Sequence, residues 1–197
     1  MEGGWRHLNV QDFFNDRAAV WDQNAILDET NIRTMLHLCD IRPGCHILDV
    51  GCGTGGLEPF LEEYSPGRVL AIDFAEKMIG AANGKPSFAA VEFRCIDFFH
   101  LWSEKFDLIL FLSTFPHFPE PDRAVTHAAA LLKPGGRLAI SHAQGKSGDA
   151  EWQRTPPLPA QGLVKLMQPF FRLDVLVDNP AMFMVSGTRI RGKKPNN

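Results

Sequence analysis

The chain has 197 residues, 45% of them hydrophobic and 22% charged, with a formal net charge of -3. That length suits one globular domain with a sizeable core, and the mild acidity gives no overall attraction to nucleic acid or an anionic membrane. No apolar run reaches the roughly 18 residues of a spanning helix, and "MEGGWRHLNV" has no basic-then-apolar leader, so a cytoplasmic protein without a membrane or nucleic-acid partner is expected.

Residues 9–21 place Val10, Phe13, Phe14, Ala18 and Trp21 at helical spacing, and residues 25–39 do the same with Ile32, Met35, Leu36 and Cys39. "RPG" at 42–44 stops the second helix. From residue 46 the period changes. "HILDV" (46–50) reads as a short buried strand, "LEPFLEEY" (57–64) as a helix with Leu57, Phe60, Leu61 and Tyr64 on one face, and "RVLAID" (68–73) as a strand. A helix over 75–82, a strand over 89–97, a strongly apolar strand over 106–112 and a helix over 122–132 follow. "KPGG" (133–136) reads as a turn before the strand "RLAISH" (137–142). A last helix covers about 160–168, and two strands, 170–178 and 181–190, are joined by so short a connection that they must be antiparallel.

Apolar strands alternating with helices predict a parallel sheet covered on both faces, and right-handed crossovers make it doubly wound, an α/β fold. The whole chain reads as one domain: a helical lid over 1–43, the core over 44–190 and a basic flexible tail over 191–197. The four cysteines, Cys39, Cys45, Cys52 and Cys95, have neither zinc-site nor C-x-x-C spacing. They are expected to be reduced, mostly buried small hydrophobes, and no metal site is expected.

Chemistry enters at "HILDVGCGTGG" (46–56). Gly51, Gly53 and Gly56 fit G-x-G-x-x-G between a strand and a helix, where missing side chains let a ligand approach the backbone. Asp73 ends the next strand, about 20 residues further on, where an acid can accept hydrogen bonds from both ribose hydroxyls of an adenosine, or else cap the following helix. Asp97 ends the third strand similarly and can accept from an adenine amino group, with Phe98 beside the base. Two cofactor classes fit this much: a nicotinamide or flavin dinucleotide, and S-adenosylmethionine. Asp49, two residues before Gly51, would repel a pyrophosphate but suits an ammonium and a sulfonium.

"ILDVGCGTG", "VLAIDFAEKMI", "FDLILF" and "LLKPGGRLAISH" resemble, in order and spacing, the motifs of class I S-adenosylmethionine-dependent methyltransferases over residues 44–142. The resemblance implies a Rossmann-like seven-stranded sheet with the last strand antiparallel. It implies that Gly51, Gly53 and Gly55 lie against the methionine part of S-adenosyl-L-methionine, that Asp73 holds the ribose, and that Asp97 and Phe98 contact adenine. Asp49, Cys52, Phe74, Met78 and Ser113 complete the expected cofactor contacts. Ala75 stands where many members have Ser, which costs a helix cap.

Ligands of open α/β sheets sit beyond the C-terminal strand ends, so the loops "LSTFPHF" and "SHAQGKS" should face the methyl group. Ser113, Thr114, Phe115, His117 and His142 are the candidates there, with His117 and His142 as possible general bases. Methyl transfer by in-line displacement needs a base only where the acceptor still carries its proton. Phe13, Phe14 and Trp21 could roof the site, and Trp152 in the polar stretch 143–160 could close over a substrate. "STFPHF" lacks the Asn/Asp-Pro-Pro-aromatic run of nucleobase amino-methyltransferases, so a small, partly apolar acceptor with an oxygen, sulfur or nitrogen nucleophile is expected, acted on by a monomer or homodimer. The alternatives are a non-catalytic S-adenosylmethionine-binding sensor or partner subunit, and a nucleotide-dependent oxidoreductase.

Overall fold

The computed structural model describes residues 10–24, 28–142 and 158–192. The polar stretch 143–157 with Trp152, and the basic end 193–197, fall outside the described residues. Seven strands form one sheet: β1 (His46–Val50), β2 (Arg68–Asp73), β3 (Val91–Cys95), β4 (Phe106–Leu112), β5 (Leu132–His142), β6 (Phe171–Asp178) and β7 (Phe183–Arg189), in the order β3-β2-β1-β4-β5-β7-β6. Pairs among β1–β5 are parallel, and β7 runs antiparallel between β5 and β6, which is the expected doubly wound sheet with its terminal hairpin. The chain moves outward from β1 to β3 and then crosses back to β4. The crevice this reversal leaves at the C-terminal ends of β1 and β4 is where such sheets bind ligands.

Period two divides the core. Leu48 and Val50 of β1 point to one face, with Leu70, Ile72, Phe111 and the helices α6 (Pro121–Leu131) and α7 (Ala160–Met167). Ile47 points to the other, with Val69, Leu108 and the helices α3 (Glu29–Leu38) and α4 (Glu58–Glu62). Each such side chain, removed from water, contributes about 1.5–3 kcal/mol. The apolar character of β1, β2 and β4 follows from being covered twice. Among the described residues no helix is long and apolar enough to cross a membrane. At the β3 edge, Arg68 and Arg94 pair with Glu92 and Glu104 (Arg94–Glu104 2.8 Å, Arg68–Glu92 2.6 Å), putting charge where a bare strand edge would invite pairing.

Three expectations need correcting. The helix over 9–21 is broken into α1 (Val10–Arg17), a 3-10 turn (Ala18–Val20) and α2 (Trp21–Asn24), because the segment bends over α5 (Glu76–Asn83) instead of packing along one line. "KPGG" is not a turn outside the sheet; it lies within β5 as an irregularity, pairing jumping from Phe106–Leu132 to Leu108–Arg137. Of the free cysteines only Cys39 is buried, and Cys95 on the edge strand is exposed.

α1 buries none of its own residues, so its seat depends on specific contacts. Gln11 donates to the Phe74 carbonyl, and the Asn15 side-chain oxygen accepts from the Lys77 amide at 2.9 Å. That amide is one of the open donors at the N-terminus of α5, whose own cap residue, Ala75, has no side-chain acceptor. The lid thus supplies the cap that the local sequence lacks. Asn15→Ala is expected to cost about 1 kcal/mol, lowering Tm by about 2–4 °C in a thermal melt. An unchanged Tm would show that the cap is not made in solution.

Candidate functional site

A cavity of about 790 Å³ opens beyond the C-terminal ends of β1–β4. Its floor is the glycine loop. Gly51 has φ +74° and Gly53 φ +56°, backbone that side-chain-bearing residues rarely adopt. A Cβ on Gly51 would lie 2.3 Å from the Thr114 methyl group, whereas one on Gly53 would be in ordinary van der Waals contact with the Trp21 ring, 3.7 Å from its Nε1. The loop is held by amides of Gly51 and Cys52 donating to the Ile72 carbonyl at 2.8 and 3.0 Å. The Thr114 hydroxyl also lies 3.2 Å from the Gly51 carbonyl, so this expected substrate-side residue braces the loop.

Asp73 is nearly buried and accepts from the Gly53 amide (3.1 Å) and the Ala75 amide (2.8 Å). Burial raises its carboxyl above the usual range, opposed by these hydrogen bonds. Asp97 caps the 3-10 turn Phe98–His100 by accepting from the Phe99 amide at 2.8 Å. Phe98 lines the cavity but is 3% exposed, its ring set edge-on against Phe111 and His127. His127 Nε2 lies 3.0 Å from the Phe98 carbonyl and pins this turn to α6. Asp49, Cys52, Phe74, Met78 and Ser113 also reach the wall. Ser113, at the end of β4, carries a positive φ of 56°, strain of the kind that gathers at functional sites.

Four expected site residues, Phe13 among them, lie outside the wall. Gly55 faces the core instead of a ligand: a Cβ there would sit 2.9 Å from the Phe93 ring, so close packing on β3 demands the glycine, and Gly56 lines the cavity in its place. Phe115 is buried in the aromatic cluster around Phe111. His142 is 6% exposed behind the wall, against Phe183 of β7. Burial, with His117 nearby, pushes the His142 imidazole down to about 4, so it is neutral at physiological pH. His117 does line the cavity, with its ring 5.1 Å from that of Phe14.

Phe14 and Trp21 form the roof, in edge contact with each other, and Phe14 also touches Phe74. Phe13 is not in the wall; Arg17 stacks on it at 3.6 Å. Asp22 of α2 fastens the roof to the floor, bonded to the Thr54 hydroxyl and paired with Lys85 at 2.7 Å. Its carboxyl is held below the usual range because these two partners outweigh the effect of burial. The sequence reading missed Asp22, Thr54, Lys85 and Glu58. Only Glu58 had a readable signal: it lies three residues before Leu61, an acid on the apolar side of its helix.

A methyltransferase domain family matches residues 48–140. Among relatives, the ubiquinone biosynthesis O-methyltransferase of Coxiella burnetii is 34% identical over 102 residues, 50% of this chain and 43% of that protein. The malonyl-[acyl-carrier protein] O-methyltransferase of Acetivibrio thermocellus is 33% identical over 136 residues, 67% of this chain and 48% of that one. The chain thus spans less than half the length of these relatives. In fold it is similar to the N-methyltransferase NodS of Bradyrhizobium japonicum WM9, solved with S-adenosyl-L-homocysteine, at a TM-score of 0.75 and 15% identity over 92% of this chain and 99% of that one. Together, the matched domain, the strand order and the glycine-loop cavity place the chain in the class I methyltransferase family, whose cofactor is S-adenosyl-L-methionine.

Proposed function

We propose that the chain transfers a methyl group from S-adenosyl-L-methionine to a small, partly apolar acceptor, most readily one with an oxygen nucleophile. The observation that carries this reading is the single cavity running from the glycine loop to His117 beneath the aromatic roof, with space for a donor and an acceptor together. The O-methyltransferase relatives support oxygen as the nucleophile. In this reading the lid, expected over 1–43, is formed by residues 10–24, while α3 packs on the sheet as part of the core that continues from residue 44.

The donor set fits the cofactor. Bare backbone at Gly51 and Gly53 admits its aminoacyl end, Asp49 offers a counter-charge to its ammonium, Asp73 faces the ribose, and Asp97 with the Phe98 turn faces adenine. When bound, the cofactor supplies a methyl group on a cationic sulfur, whose departure as a neutral thioether needs no acid. The remaining work belongs to this chain. Phe14, Trp21 and Phe74 exclude water from the transfer zone, and the Asp22–Thr54–Lys85 contacts keep the lid down. His117 takes the acceptor's proton, and neutral His142 behind it adds no competing charge.

Two measurements test this. Incubation with methyl-labelled donor and a panel of small phenols, carboxylic acids and thiols should label at least one. Tight S-adenosylhomocysteine binding with no labelling of any acceptor would favour the non-catalytic sensor or partner subunit. Given one working acceptor, His117→Ala should lower kcat about 10²-fold or more while the Kd for S-adenosylhomocysteine stays within about twofold. Equal loss of both would put His117 among the cofactor contacts.

A further inference from the structure

Glu58 is a buried ionisable group that the proposed reaction leaves unused. It opens α4 with no solvent exposure, and neither carboxyl oxygen makes a well-formed hydrogen bond; the nearby amides of Leu57 and of Glu58 itself only partly oppose the effect of burial. Leaving such a group buried and charged is costly. Something must either neutralise it or make use of its charge.

Its neighbour is Asp49. Strand alternation puts Asp49 on the same face as Ile47, and α4 covers that face. Asp49 is 2% exposed and reaches the cavity wall, while Glu58 lies behind it in the interior. The two carboxyls interact across the connection from β1 to α4. Other charged and titratable groups face this pair. Asp73 on β2 adds negative charge, although backbone amides already occupy its oxygens. The Cys52 thiol, pushed up by burial and by these acids, stays neutral. The Lys85 ammonium attracts Glu58, but Asp22 already holds it at 2.7 Å. Among the described residues no ion pair to Asp49 or Glu58 is formed, Lys85 being held by Asp22.

We propose that Asp49 and Glu58 share one proton in the free protein and release it to solvent when the ammonium group of the cofactor seats against Asp49. Glu58 is then a positioning residue that sets the charge Asp49 presents to the ligand. The pair goes from one proton and a charge of −1 to no proton and a charge of −2. The ligand keeps all its own protons, and the one released goes to the buffer. Burial drives both carboxyls upward, Glu58 to about 7 and Asp49 well above the usual range, and the Glu58 charge adds to the rise at Asp49. The inference rests on the cofactor reading and adds a proton to it.

The experiment is calorimetric titration of the full chain with S-adenosylhomocysteine at pH 7 in phosphate and in Tris, whose ionisation enthalpies differ. Wild type should release a measurable part of a proton per ligand bound, up to the one the pair shares, and its affinity should rise severalfold from pH 6 to pH 8. Glu58→Gln should release clearly less, with a shallower rise of affinity over the same range, since burial of Asp49 persists but the second acid is gone. Identical heats in the two buffers for wild type, or undiminished release by Glu58→Gln, would overturn the proposal. Should the variant not fold, the wild-type comparison of buffers decides alone. Absence of any binding heat in wild type would instead remove the cofactor reading, and this inference with it.

Discussion

Asp73→Ala is expected to leave a folded protein that binds S-adenosylhomocysteine far more weakly. The carboxylate holds the Gly53 and Ala75 amides at 3.1 and 2.8 Å, and in the proposed reading it also accepts one hydrogen bond from each of the two ribose hydroxyls. Hydrogen bonds to a charged group contribute about 1.5–3 kcal/mol each, so losing two raises Kd about 10²-fold or more. The sheet core does not depend on this side chain: Leu48, Leu70 and Ile109 are fully buried elsewhere, and far-ultraviolet dichroism should be unchanged. Asp73→Asn, which keeps one acceptor oxygen but no charge, should fall between wild type and the alanine variant. Unaltered affinity in Asp73→Ala would remove the ribose assignment.

Gly51→Ala is expected to damage both stability and binding. Its φ of +74° strains any side-chain-bearing residue by about 1–2 kcal/mol, and the new methyl would sit 2.3 Å from the Thr114 methyl group, adding about 1–3 kcal/mol of overpacking. The two costs can be separated. Thr114→Ala on the Gly51→Ala background removes the two closest contacts, at 2.3 and 2.4 Å, but keeps the Cβ of residue 114 at 2.9 Å and the strain, so it should recover part of the lost Tm and leave the rest. Full recovery would mean that the positive φ costs nothing here. No recovery would mean that the Thr114 contact is not what forbids a side chain.

The sheet was legible because its signals are local. Period-two apolar strands, glycine at the strand–helix turns and the short connection before Phe183 are each visible within a few residues. The floor of the site was legible for the same reason, since Gly51, Gly53 and Asp73 all sit at strand ends. What stayed hidden depends on residues far apart in the chain. Asn15 caps a helix that begins about 60 residues later, and Asp22 finds Lys85 only once the lid has folded over α5. Gly55 was expected as a ligand contact from the family resemblance, but its neighbour is Phe93 on β3, two strands along the sheet. His142 stood at the correct end of β5, yet only the pairing of β5 with β7 shows that Phe183 covers it.

The central claim is that this cavity holds S-adenosylmethionine rather than a dinucleotide. Calorimetric titration of the purified chain with S-adenosylhomocysteine, beside reduced nicotinamide dinucleotide, tests it most directly. The account predicts saturable one-to-one binding of the first and none of the second, because Asp49 at the cavity wall repels a pyrophosphate. Binding of the nicotinamide dinucleotide alone would contradict it.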